Sequence, residues 1–186
     1  MINAFFQQFD LFTPEEIKSI TSLFEKQKMP KNGYFVKEGD ECSKIAFVEQ
    51  GIFRSFYVDQ QGKEHTYCFR FPNELIGPYS AFITGNKSIE NMQAIIPSIV
   101  WTIEKCTLIQ LGQQYPQWDK FLKIIAEQQY LELEGRIIQL QRESAAQRYQ
   151  NLLLHYPSYI REIPLQYIAS YLNITQRHLS RLRKTL

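Results

Sequence analysis

Residues 163–186, IPLQYIASYLNITQRHLSRLRKTL, constrain the fold more than any other part of the chain, because they spell two short helices joined by a tight turn. Pro164 suits the first position of a helix, where its missing N–H is no loss, and Ile168, Ala169, Tyr171 and Leu172 follow at helical spacing. Asn173 is placed to stop that helix in the left-handed conformation, which glycine tolerates best and asparagine better than most. Thr175 is the expected N-cap of the next helix, with Leu179 and Leu182 as its buried stripe. Ala169 provides the small side chain that a steep helix crossing needs. The pattern predicts a helix-turn-helix.

In such a unit the N-terminal part of the second helix enters the DNA major groove. The exposed candidates are Gln176, Arg177, His178, Ser180 and Arg181. Arginine can pair with guanine through two parallel hydrogen bonds, glutamine can do the same with adenine, and Thr175 or Ser180 can hold a phosphate. Arg183 and Lys184 are expected at the DNA backbone. The alternative is an ordinary helical hairpin whose basic end is a solvated face. Charge distribution favours DNA: residues 142–186 carry seven basic and two acidic side chains, residues 1–141 fourteen and seventeen, although the whole chain is only +2. The positive field is concentrated where phosphate would be met.

Other classes find less support. No apolar run approaches a membrane span, and the first residues, MINAFFQQFD, lack the basic and apolar regions of a signal peptide, so a cytoplasmic protein with no membrane partner is expected. Cys42, Cys68 and Cys106 are odd in number and widely spaced, which suggests neither a disulfide framework nor a zinc site. His65, His155 and His178 share no ligand spacing. A cupin-like metalloenzyme needs clustered histidines and a carboxylate, and the sequence has no HxH. With no P-loop, dinucleotide fingerprint or nucleophile–base constellation, neither an enzyme nor a cofactor is expected. A ligand-binding module whose helical tail docks on another protein remains an alternative.

Upstream, the texture changes twice. Thr13 and Pro14 open an amphipathic helix predicted over residues 14–28, with Ile17, Ile20, Leu23 and Phe24 on one face. From Gly33 to about Leu111, short runs rich in β-branched and aromatic residues predict an antiparallel β domain, a jelly roll or barrel, with residues 59–63 as a hairpin loop. After Pro116, about 27 residues without proline predict a long helix. Leu122, Ala126, Leu133, Ile137 and Leu140 form one stripe, expected on the barrel. Ile124, Leu131 and Ile138 form a second at heptad spacing, expected on a partner's equivalent helix, unless the helix is buried within one chain. Ser144 caps a further helix, with Tyr149, Leu152 and Leu153 as its buried face and Pro157 closing it. The expected organisation is a sensor roll over residues 1–115, a dimerisation helix over 116–143 and a DNA-reading unit over 144–186.

This order resembles the Crp/Fnr superfamily of bacterial transcription regulators over nearly the whole chain. The stretches FVKEGD (35–40), AFVEQG (46–51), DQQGKE (59–64) and SAAQR (144–148) carry the resemblance, together with residues 163–184. It implies an α+β fold: an N-terminal β-roll of cyclic-nucleotide-binding type, a long dimerisation helix and a C-terminal helix-turn-helix. Only Thr185 and Leu186 follow Lys184, so no β-hairpin wing is expected. The implied partners are double-stranded DNA, a second copy of the chain, RNA polymerase and a small-molecule effector. The family's phosphate cassette falls on residues 76–94, where Gly77 is kept but the glutamate position is Pro78 and the arginine position is Ser88. An anionic phosphate buried there would lack its charge-assisted pair, and Glu90 would repel it. Cyclic AMP is therefore not the expected effector. On the same resemblance, a ligand would be lined by Arg70, Gly77, Pro78, Tyr79, Phe82, Ser88 and Tyr130.

Overall fold

The computed structural model describes residues 1–157 and 159–185; Leu186, the end of the predicted helical pair, lies outside them. Two helices, α1 (Ile2–Gln7) and α2 (Pro14–Thr21), lead into eight strands: β1 (Glu25–Met29), β2 (Tyr34–Val36), β3 (Lys44–Gln50), β4 (Phe53–Val58), β5 (Glu64–Arg70), β6 (Leu75–Ile76), β7 (Asn91–Ala94) and β8 (Ser98–Glu104). A short helix, α3 (Tyr79–Thr84), lies between β6 and β7. The strands make two antiparallel four-stranded sheets, ordered β1-β8-β3-β6 and β2-β7-β4-β5. Helices α4 (Lys105–Gln114), α5 (Trp118–Arg142), α6 (Ala145–His155), α7 (Leu165–Tyr171) and α8 (Gln176–Thr185) complete the described chain.

Thr13 caps α2 as the sequence suggests: its hydroxyl accepts the Glu16 N–H at 3.2 Å while the Glu16 carboxylate accepts the Thr13 N–H at 2.8 Å. The helix predicted over residues 14–28 nevertheless ends at Thr21, and residues 25–29 form β1. That strand pairs only with β8 at a sheet edge, so four of its five side chains face solvent and show no alternation. Leu23, expected on the buried face, is exposed. The β region also stops earlier than expected, because Lys105 already belongs to α4.

Val36, Ala46, Val48, Phe53, Met92 and Val100 fill the space between the sheets. Gly51 closes one corner with φ +121°, and a Cβ there would lie 2.0 Å from the Ser98 hydroxyl, so only glycine fits. A second core packs α1, α2 and the start of α5 against β3 and β8, with Phe5, Phe6, Phe47, Ile103, Trp118 and Phe121 at its centre. A third joins the other sheet to the C-terminal helices, through Phe69, Phe71 and Ile95 on one side and Leu152, Ile168 and Leu172 on the other.

Helix α5 has 25 residues, about 37 Å of rise. The line it turns toward the body is Phe121, Ile125, Gln129, Glu132 and Arg136. This corrects the expectation that the Leu122, Ala126, Leu133, Ile137, Leu140 stripe covers the roll: Leu133, Ile137 and Leu140 are exposed, as are Leu131 and Ile138. Polar contacts hold the second half of the helix, and its apolar side chains are left outside. Glu143 is extended and ends α5, and Ser144 caps α6 in a capping box with Gln147.

Candidate nucleic-acid interface and roll interior

The turn between α7 and α8 is built from backbone hydrogen bonds. Asn173 adopts φ +54°, its N–H reaches Ser170 O at 3.0 Å, and the Ile174 N–H reaches Ala169 O at 3.0 Å. Together they make a Schellman closure. Pro164 serves as the N-cap of α7 and not as its first residue, because its ψ of 137° is still extended. The Thr175 hydroxyl accepts the His178 N–H at 3.2 Å and caps α8. Leu179 and Ala169 are buried and Leu182 is half-buried. Gln176, Arg177, His178, Ser180, Arg181, Arg183 and Lys184 are all exposed, as is Thr175.

Two arginines that the sequence reading passed over fix this unit. Arg148, only 8% exposed, donates to the carbonyls of Leu172 (2.9 Å) and Glu143. Arg136 of α5 donates to the Tyr171 carbonyl and lies 3.8 Å from the centre of the Tyr171 ring. Cations thus meet the last carbonyls of α7, where the helix dipole is negative. Arg148 belongs to the SAAQR stretch that marks the start of this unit, yet an arginine inside a helix gives no sequence signal of burial.

The same unit is seated on the roll. The Thr66 N–H donates to Ser170 Oγ at 2.8 Å, and that hydroxyl donates to the Glu64 carbonyl at 3.0 Å. Arg54, 2% exposed, is stacked between Phe56 and Tyr167, its guanidinium carbon 3.8 and 3.7 Å from the ring centres. It donates to Gln93 Oε1 at 3.0 and 2.8 Å and pairs with Glu64 at 2.6 Å. A cleft of about 590 Å³ separates Thr175 and Gln176 from Lys63 and His65 of the β4–β5 hairpin.

Inside the roll, a β-bulge between Ser55 and Phe56 leaves Tyr67 without a partner across the sheet, and its hydroxyl donates to Glu90. Burial pushes the Glu90 carboxyl above its ordinary value of 4.5, although the Tyr67 hydrogen bond works the other way. Burial also raises Tyr67 and pushes the Cys68 thiol up to about 12, so that thiol stays protonated and unreactive. A carboxylate that is harder to ionise folded than unfolded removes stability as pH rises above 4.5 and returns it on acidification. Glu90→Gln keeps an acceptor for Tyr67, so its thermal midpoint at neutral pH is expected to rise and its gain on mild acidification to shrink. Unfolding scans at two pH values check both.

The seven candidate ligand residues do not converge. Arg70, Gly77, Tyr79 and Phe82 line one groove outside the roll, and Pro78 is the N-cap of α3 beside it. Arg70 is already held by Glu132 (2.6 Å), Gln129 (2.8 Å) and Glu74 (4.0 Å). Ser88 is buried and donates to the Glu90 carbonyl at 2.7 Å. Tyr130 is exposed and bonds Glu134 at 3.1 Å. His65 pairs with Asp59 at 2.7 Å. Among the described residues no group of three His, Cys, Asp or Glu could hold a metal ion, and no helix is long and apolar enough to cross a membrane.

A double-sheet roll, a long helix and a helical pair joined by a tight turn follow one another in that order. Residues 26–115 match the family model described as cyclic nucleotide-binding domain. The chain is thus similar over these residues to that domain, and it is similar to the following proteins. The fumarate and nitrate reduction regulatory protein of Vibrio cholerae is 24% identical over 134 residues, covering 72% of this chain and 53% of that protein. The chain therefore spans only about half the length of that relative. Three solved structures share the fold: FixK2 of Bradyrhizobium japonicum (TM-score 0.77, 19% identity, 88% of this chain and 84% of that one), the c-di-GMP-responsive regulator CLP of Xanthomonas campestris (0.71, 14%, 93% and 91%), and the Catabolite Activator Protein of Thermus thermophilus (0.61, 20%, 94% and 84%).

Proposed function

We propose that the chain is a homodimeric, sequence-specific DNA-binding transcription regulator, with a sensor roll (1–115), a dimerisation helix (116–143) and a DNA-reading unit (144–186). The observation that carries this reading is α8: one face is anchored through Leu179 and Leu182, and the other presents Gln176, Arg177, His178, Ser180 and Arg181 to solvent in front of Arg183 and Lys184. A helix fixed so firmly and decorated so basically is suited to a major groove. Ile124, Leu131 and Ile138, at heptad spacing along α5, supply the contact with a second copy. The roll interior argues against cyclic AMP, because Ser88 offers no cation and Glu90 would face the phosphate.

Selection of binding sites from random duplex DNA by the purified full chain tests the reading. A two-fold symmetric site with steeply salt-dependent affinity is expected; weak, sequence-blind binding with and without cell metabolites would discard it. Arg177→Ala is expected to weaken binding to the selected site by about 1–3 kcal/mol and to relax the preference at one base pair. Unchanged affinity in a titration would remove Arg177 from the reading set.

A further inference from the structure

A groove of about 960 Å³ lies outside the roll, where α1, α3, α4 and α5 close over β3 and β6. Its size is at the upper end of the range of small-molecule sites, and such sites are mostly apolar with a few placed polar groups. Here the apolar wall includes Phe9, Ile109, Leu122 and Ile125. Trp118, fully buried, also lines it, and the indole Nε1–H of Trp118 has no hydrogen-bond partner.

Gly112 lies inside α4 without a positive φ, where glycine is less favourable than alanine by about 1 kcal/mol. A Cβ there would meet Trp118 Cδ1 at 3.5 Å and Asp119 Oδ1 at 4.0 Å. The missing side chain leaves room beside the pyrrole edge of the indole.

The groove's charges are unequally engaged. Arg70 is taken up by Glu132 and Glu74. Asp119 sits in the first turn of α5, where the helix dipole favours it. Lys105 is the remaining cation of the wall; it donates to the Phe82 carbonyl and lies 5.1 Å from the centre of that ring. Among the described residues no carboxylate lies within ion-pair distance of it.

We propose that this groove binds a free amphipathic monocarboxylate, with its carboxylate on Lys105 and its apolar body along α5 beneath Trp118. The site is separate from the roll interior and does not depend on the DNA-reading assignment.

Binding is read from Trp118 fluorescence in full-length Trp101→Phe protein, titrated with dodecanoate, dodecanol and dodecylamine below micelle-forming concentrations. Dodecanoate is expected to saturate about tenfold or more tighter than dodecanol, as a charge-assisted bond implies, and dodecylamine to bind weakest. Lys105→Met is expected to abolish the preference for the acid while leaving dodecanol binding in place. Gly112→Leu is expected to remove both ligands with circular dichroism unchanged. Equal affinity for acid and alcohol, a preference that survives Lys105→Met, or absence of saturation would each overturn the proposal. Phosphatidylglycerol vesicles that shift Trp118 as strongly as dodecanoate would overturn the free acid in favour of a lipid surface.

Discussion

Leu131→Asp with Ile138→Asp is expected to turn the protein into a monomer and to lower its affinity for a two-fold DNA site about 100-fold or more. The two side chains are 61% and 43% exposed, one heptad apart on a helix that offers Leu133, Ile137 and Leu140 to solvent as well. Each Leu or Ile buried against a partner is worth about 1.5–3 kcal/mol, and two-fold symmetry doubles every contact. The variant brings four carboxylates into that seam, where like charges cost several kcal/mol more. Because both positions are exposed in one copy, the fold of each chain should change by no more than about 0.5 kcal/mol. Sedimentation of the variant reads the assembly, and circular dichroism confirms the fold. A variant that stays dimeric at micromolar concentration would exclude α5 as the interface, and a monomer that keeps full operator affinity would exclude the dimer as the reader.

Arg54→Ala carries the second large expected effect, a loss of about 3–5 kcal/mol in global stability. The ion pair with Glu64 contributes little of this, since the Glu64 side chain is 44% exposed and solvent screens it. The weight falls on the dry side. Gln93, 7% exposed, loses two donors, leaving a buried acceptor at about 1–3 kcal/mol, and two desolvated ring faces lose a cation worth about 2 kcal/mol. Tyr167→Ala removes only the face contributed by the reading unit, so it should loosen the seating of α7 while costing the roll far less. Chemical denaturation gives the totals, and proteolysis near Ser144 distinguishes unseating from unfolding. A change below about 0.5 kcal/mol for Arg54→Ala would mean that the stack holds nothing.

The sequence made the C-terminal unit readable because every signal there is local: a proline before α7, Asn173 at the turn, Thr175 at the cap, and Leu179 with Leu182 on one face. The hairpin at residues 59–63 and the Ser144 cap were readable for the same reason. The inner line of α5 was not, because Gln129, Glu132 and Arg136 are residue types that pattern reading assigns to solvent, and only a tertiary partner turns them inward. Arg54 and Arg148 escaped notice in the same way. Strand β1, written EKQKM, reads like helix because its edge position spares it any alternation. The candidate ligand set was carried by analogy with the phosphate cassette, and the bulge that aims Tyr67 at Glu90 has no trace in that pattern. Gly112, which lines the outer groove, lies just past the stretch that the sequence reads as β structure, in α4, whose residues 105–111 fall inside that stretch.

Ser170 gives β5, the last strand of its sheet, the donor and acceptor that a further strand would otherwise supply. The seat of α7 is thus a stopper on sheet growth. A chain whose α7–α8 pair swings away uncovers unsatisfied peptide groups along β5 able to recruit a strand from any neighbour, so the seating of that pair and the colloidal stability of the protein are coupled.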